Sequence, residues 1–216
     1  MNENNHAAST FASAKTGTAG SSWSRFWSRF VAEPEPSIAH RLYEPLVRHA
    51  RFPIYFERLD VPDTPEGRFE VLALHVGLVM RRLCGLDEEG RAAGQALFDL
   101  MVADLDGNLR ELGVGDLSVG KQVKRLAGQF YARLAVLDEA FDEERPDALV
   151  PMLETNVFGA KQAPQGAVAH LAAILQALEE ALASQSADDV KAGRITLPDE
   201  AELVTLGGQQ PRSDDG

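Results

Sequence analysis

Asp104 to Arg125 reads D-L-D-G-N-L-R-E-L-G-V-G-D-L-S-V-G-K-Q-V-K-R, and the fold class turns on how this stretch is read. Within it, Gly115-Asp116-Leu117-Ser118-Val119-Gly120-Lys121 keeps the spacing of a phosphate-cradling loop. The next position breaks the pattern, because Gln122 stands where a hydroxyl is needed to hold magnesium. Such a loop also needs a β-strand before it, whereas Phe98, Met101, Val102, Leu105, Leu109 and Leu112 repeat at helical spacing. A calcium loop fails too: Asp104-Leu105-Asp106-Gly107-Asn108 has its glycine two places early, and Gly115 occupies the position of the closing glutamate. What remains is a helical hairpin, with Gly113 ending one helix and Asp116 or Ser118 capping the next. The chain is then all-α.

The hairpin carries charge in two places. Asp106 and Arg110 stand four apart with the acid first, an arrangement suited to a surface ion pair, while Asp104, Asn108 and Glu111 share one helix face. Lys121, Lys124 and Arg125 put positive charge in the first turns of a helix, where the macrodipole disfavours it, and a partner would justify that cost. Arg81 and Arg82 close an earlier apolar helix at the end the dipole favours, so a structural role suffices for them. If the fold brings them near Lys121, Lys124 and Arg125, the five make a positive patch on an acidic protein, suited to a protein partner or anionic lipid. The candidate partner-binding residues are therefore Arg81, Arg82, Asp104, Asp106, Asn108, Arg110, Glu111, Asp116, Lys121, Lys124 and Arg125.

Helices flank the hairpin on both sides. Pro62-Asp63-Thr64-Pro65-Glu66 is a helix start, with Thr64 as cap, Pro65 at the first helical position and Glu66 at the positive end of the dipole. The helix that follows is apolar over most of its circumference: Phe69, Leu72, Ala73, Val76, Val79, Met80 and Leu83 on one side, Val71, Leu74 and Leu78 on another. This predicts the central buried helix, with His75 as a hydrogen-bonded core histidine. Before it, Ile38, Leu42, Leu46 and Ala50 mark a helix that Pro45 should kink or divide, and a short aromatic-rich helix begins at Pro53. After the hairpin, Val119, Val123, Leu126, Phe130, Leu134, Leu137 and Phe141 predict a buried stripe. Asp138 to Asp147 reads as a solvated acidic turn, followed by a helix over 148–157 and an alanine- and leucine-rich helix ending near Ala183.

The ends differ in composition. Residues 1–22 are mostly Ser, Thr, Ala, Asn and Gly, too poor in bulky apolar groups to offset the entropy of ordering them, and are expected to be disordered. The repeat Trp23-Ser24-Arg25-Phe26-Trp27-Ser28-Arg29-Phe30, set as a helix, gathers Trp23, Phe26, Trp27 and Phe30 on one arc with Arg25 and Arg29 opposite. That pattern suits a membrane surface, and equally docking on the protein's own body. Glu33-Pro34-Glu35-Pro36 is a stiff linker that closes this 23–36 segment. The expected organisation is one helical domain over 37–184, of about six to eight helices, and a weakly structured or disordered tail over 185–216.

Whole-chain properties narrow the function. The 216 residues suffice for one domain with a sizeable core, and a net charge of −12 argues against DNA and general nucleic-acid binding. One cysteine, Cys84, forms no internal disulfide and fits a reducing compartment as a small core residue. His40 and His49 lack the pairing of a zinc helix, and no nucleophile stands beside a base, so no metal, cofactor or catalytic residue is expected. The longest apolar run, Val71 to Met80, is too short to span a bilayer, which predicts a soluble or peripheral protein. There is no secretory signal pattern. The arginine-poor start favours a bacterial cytoplasmic protein over one with a mitochondrial transit peptide, with the matrix side of the inner membrane as the alternative.

Several motifs occur in one order: Asp60-Val61-Pro62-Asp63-Thr64-Pro65-Glu66-Gly67-Arg68-Phe69, then Leu74-His75, Arg81-Arg82-Leu83, and the D-x-D-x-N-L-R-E-x-G-V-G-D-L-x-V run from Asp104 to Val119. Over roughly Leu42 to Phe141 the chain resembles the ubiquinol-cytochrome c chaperone family, apart from Asp60, which stands where that family has glycine. The resemblance implies a non-enzymatic assembly factor for the cytochrome bc1 complex that handles newly made cytochrome b, or an early bc1 assembly intermediate, at the inner membrane. A small partner subunit, the ribosome or an anionic membrane surface are further partners to expect. The alternative is a general membrane- or ribosome-associated helical adaptor.

Overall fold

The structure, a computed structural model, describes residues 36–111, 116–143, 145–159 and 161–207. Expectations for Trp23, Arg25, Phe26, Trp27, Arg29 and Phe30, for the turn at Gly113, and for the side chain of Asp116 lie outside the described residues. The described chain is all-α, with no strand among the described residues. Helix α1 spans Pro36–His49, a π-helical turn Ile54–Arg58, α2 Pro65–Cys84, α3 Glu88–Glu111 and α4 Asp116–Asp142. A 3-10 turn at Pro146–Ala148 leads into α5 (Leu149–Met152) and a π-helical stretch, Leu153–Phe158. Helices α6 (Ala167–Ser184), α7 (Ala187–Lys191) and α8 (Glu200–Leu206) complete the chain.

Helix α2 is the axis. Thr64 caps it by accepting a hydrogen bond from the Gly67 amide at 3.1 Å, with Pro65 in the first turn. From Phe69 to Cys84 only Leu72 and Arg82 escape burial, because α2 packs against α1, α3, α4 and α6 at once. Gly77 permits a close approach of α4: a Cβ there would lie 2.9 Å from Leu137 and 3.3 Å from Leu134. Burial pushes the Cys84 thiol up to about 12, so the lone cysteine is an inert core group.

Pro45 lies inside α1 without ending it. Leu42 and Leu46 on either side are fully buried, and at about 2 kcal/mol each that burial offsets much of the roughly 3 kcal/mol a helix-interior proline costs. In α4, Val119, Leu126, Phe130, Leu134 and Leu137 are buried as the periodicity predicts, and Val123 and Phe141 are half-buried. Phe98 of α3 meets the rings of Phe130 and Tyr131 at 5.2 Å, joining the two long helices near their middles.

Two expectations are corrected. The acidic stretch after Leu137 is not a solvated turn at its start, because α4 continues to Asp142 and both Asp138 and Asp142 turn to the Arg81 guanidinium. The chain beyond Ser184 is not weakly structured as far as residue 207. Ser186 caps α7, Asp199 and Glu202 form a reciprocal capping box on α8, and Val190 and Leu203 are fully buried. Its few apolar residues suffice because each drops into a site prepared by the body. Helix α6 is long and apolar enough by composition to cross a membrane. In this fold Leu171, Ile174, Leu175, Leu178 and Leu182 are buried, while Gln176 and Glu180 face outward, so one face of α6 packs into the core.

Candidate functional site

The α3–α4 hairpin extends on both sides for about 20 Å beyond its aromatic crossing at Phe98 and Phe130, at 1.5 Å per residue. The fully buried part of α3 ends at Met101; beyond it Val102, Leu105 and Leu109 are half-covered. Asp104 accepts hydrogen bonds from the Tyr43 hydroxyl of α1 at 2.9 Å and from the Asn108 side-chain amide at 3.1 Å. Burial, and then this bond to Asp104, push the Tyr43 phenol above its ordinary value, so it stays a donor. Asp104 thus ties α3 to α1, while Asp104 and Asn108 both stay exposed. The expected Asp106–Arg110 pair is present at 2.6 Å, with Arg110 half-exposed, and Glu111 is exposed one residue further on.

On the other arm of the hairpin, Lys121, Lys124 and Arg125 are all exposed. Arg125 donates to Gln129 at 3.0 Å, and its charge helps hold the Glu70 carboxyl down against burial. Lys121 and Lys124 have no partner among the described residues. In a chain of net charge −12, exposed cations three residues apart on one helix face are a local reversal of the protein's field.

The expected five-residue patch does not assemble. Arg81 is buried, at 7% exposure, and pairs with Asp142 at 2.7 Å, Asp138 at 3.2 Å and Glu179 at 3.6 Å, with the Phe141 ring 5.4 Å from its guanidinium carbon. Arg82 donates to the Gln185 carbonyl at 3.0 Å. From Asp138 back to Lys121 is about 25 Å along α4. Arg81 therefore knots α2, α4 and α6 together at the far end of α4 from the exposed lysines. Three acids surround it, so it adds no positive charge to the surface.

The residues missed by sequence reading are Glu70 and Arg133. They form a bidentate pair between α2 and α4, with one bond at 2.6 Å and the second shorter, and both are almost fully buried. The signal was present: Arg133 falls in the register of Phe130 and Leu137 on the α4 stripe, and Glu70 is the one carboxylate on the apolar arc of α2. Together with Arg81 the pair fixes α4, and so sets where the hairpin points.

An open cleft of about 510 Å³ is lined by Val150, Glu154, Lys161 and Val168 among others, with its titratable groups exposed and no nucleophile beside a base. The fold is a helical body that presents charge on a hairpin held by buried ion pairs.

The comparisons with known proteins agree. The ubiquinol-cytochrome c chaperone family model matches residues 57–197, and the chain belongs to that family. It is 28% identical over 106 residues to the Drosophila melanogaster protein named ubiquinol-cytochrome c reductase complex assembly factor 1. That alignment covers 47% of this chain and 41% of the Drosophila protein, so the chain spans less than half the length of that relative. The crystal structure of the Cbp3 homologue from Brucella abortus superposes with a TM-score of 0.68 at 34% identity, over 76% of this chain and 90% of that one. Asp60, the departure from the family motif, has φ +58, a left-handed backbone that glycine adopts freely and aspartate tolerates better than most residues.

Proposed function

We propose that this protein is a non-enzymatic chaperone for assembly of the cytochrome bc1 complex, and that it binds newly made cytochrome b, or an early bc1 intermediate, at the cytoplasmic face of the inner membrane. Its family carries the first half of this reading, together with the name of the Drosophila relative. The second half rests on the exposed Lys121, Lys124 and Arg125, positive charge on an otherwise acidic body. The cytoplasmic leaflet around a membrane protein carries anionic headgroups, and a small basic patch finds complementary charge there. Charge of this kind steers encounter and sets orientation, leaving affinity to apolar contact along the half-covered Val102, Leu105 and Leu109 face.

Affinity capture of the full chain from its own host in mild detergent tests the reading. Cytochrome b should be enriched without the mature complement of bc1 subunits, and cells lacking the protein should fail to accumulate the complex. Normal bc1 accumulation in such cells overturns it. Ribosomal proteins dominating the capture, with no cytochrome b, would favour a general membrane- or ribosome-associated adaptor.

A further inference from the structure

Helix α8 has seven residues, whereas about 12–15 are needed for a helix to hold in water by itself. Its capping box secures only the first turn. The rest of its order comes from its seat against α6 and the π-helical turn. Glu200, Leu203, Val204 and, just past the helix end, Gly207 face that seat, spaced i, i+3, i+4 and i+7. Amphipathic helices that dock in the grooves of other proteins use the same anchor positions.

The seat answers these anchors one by one. At the first position of the π-helical turn the Ile54 amide has no partner within the turn, and it donates to the Glu200 carboxylate at 2.8 Å. Leu203 is fully buried, and its carbonyl accepts from His170 Nε2 of α6 at 2.8 Å. Gly207 passes so close to that ring that a Cβ would lie 2.3 Å from Nδ1. Val204 fits least well. Together with Ala201 it lines an open cleft of about 360 Å³ against Pro53, Ile54 and Glu57, so two small side chains leave the groove underfilled.

We propose that this seat is a helix-binding groove and that α8 occupies it as an internal stand-in for a partner's amphipathic helix. The partner helix has an acid and a leucine where α8 has Glu200 and Leu203, and larger apolar side chains where α8 has Ala201 and Val204. The C-terminal strap, residues 185–207, is organised for such an exchange. Its first half is fixed: Val190 of α7 is fully buried, Lys191 pairs with Asp87 at 2.7 Å, and Arg41 donates to the Ala192 carbonyl at 2.9 Å. Between α7 and α8 the chain forms no helix, and Gln185 holds both backbone groups of Thr196. A displaced α8 therefore stays tethered beside the groove. An emptied seat has two unpaired donors, the Ile54 amide and His170 Nε2, which an incoming acid and carbonyl satisfy in turn. Exchange is then like for like in hydrogen bonds, and filling the cleft decides in favour of the partner. Helix α8 lies beyond the family-matched residues 57–197.

A fluorescent peptide with the sequence of residues 197–207 is the probe, titrated into the full chain and read by anisotropy. Leu203→Asp in the full chain should eject α8 and bind the peptide at least about tenfold more tightly than wild type, whose tethered α8 competes at high local concentration. Gly207→Ala drives a Cβ into the His170 ring and should act in the same direction more weakly, so it decides the matter if Leu203→Asp does not fold. Amide exchange in α2 should be unchanged in the variant used. Placing leucine at both Ala201 and Val204 of the peptide should tighten binding about tenfold again, and a peptide carrying Leu203→Asp should not bind. Equal peptide affinity for wild type and both variants would overturn the proposal, as would no binding to a variant whose α2 stays protected. Larger side chains that bind no better would overturn the predicted partner chemistry. Loss of α2 protection in both variants would make α8 part of the core, which also overturns it.

Discussion

Asp60 combines two effects that are separable by substitution. Its left-handed backbone is a conformation L-residues rarely adopt, and its carboxylate pairs with Lys161 at 2.7 Å, both side chains half-exposed. A surface pair of this kind contributes at most about 1 kcal/mol. Asp60→Gly removes the strain and the pair together and should leave stability within about 1 kcal/mol. Asp60→Val places a β-branched residue at positive φ and should cost about 1–3 kcal/mol in denaturant unfolding. Glu179 offers a prediction with a pH sign. Burial raises its carboxyl above the ordinary glutamate range against the pull of Arg81, and its Oε2 has no hydrogen-bond partner among the described residues. A carboxyl raised on folding contributes stability below its unfolded pKa and loses it as pH rises through the folded value. Wild-type stability should therefore fall relative to Glu179→Gln as pH climbs from about 4.5, measured by parallel urea titrations across pH. A constant difference across that range would sink this account.

Among the elements, the two ends of α4 have opposite roles. At its amino end, changing Lys121, Lys124 and Arg125 to alanine removes exposed groups that support no packing, so the melting temperature should hold while client capture weakens, most of all at low salt. At its middle and carboxyl end the helix is fastened by Arg133–Glu70 and Arg81–Asp138–Asp142. Glu70→Ala leaves a buried guanidinium without a partner and should cost about 3–5 kcal/mol, read as a lower urea midpoint. If the triple-alanine variant captures cytochrome b as well as wild type, these three cations are not the contact. The strap is tested the same way: Leu203→Ala removes a fully buried side chain from α8 and should cost about 2–5 kcal/mol if α8 belongs to the cooperative unit. A change within experimental error would mean that α8 folds and unfolds apart from the body.

At the scale of the molecule, one apolar helix surrounded by four others explains how an acidic chain with few aromatics keeps a hairpin in a fixed direction. The legible parts of this plan follow from local rules. Thr64-Pro65 gave the start of α2, its nearly continuous apolar surface gave its central position, and the 3.6-residue stripe gave the inward face of α4. The all-α class followed because Gln122 and the helix before Gly115 exclude a phosphate loop. These features depend on residues near one another in sequence, and their signals survive without knowledge of neighbours. What the sequence could not decide was which charges are surface and which are core. Arg81 and Lys121 both stand on helices as basic residues, yet three acids from α4 and α6 enclose one and solvent surrounds the other. Likewise, the short apolar residues Val190 and Leu203 look too sparse to order a tail until the body supplies their sites, and His49 meets His75 and Pro198 only across 26 and 149 residues of chain. Burial of a charge and contact between two rings are properties of pairs, and only the tertiary structure brings together pairs so far apart in the chain.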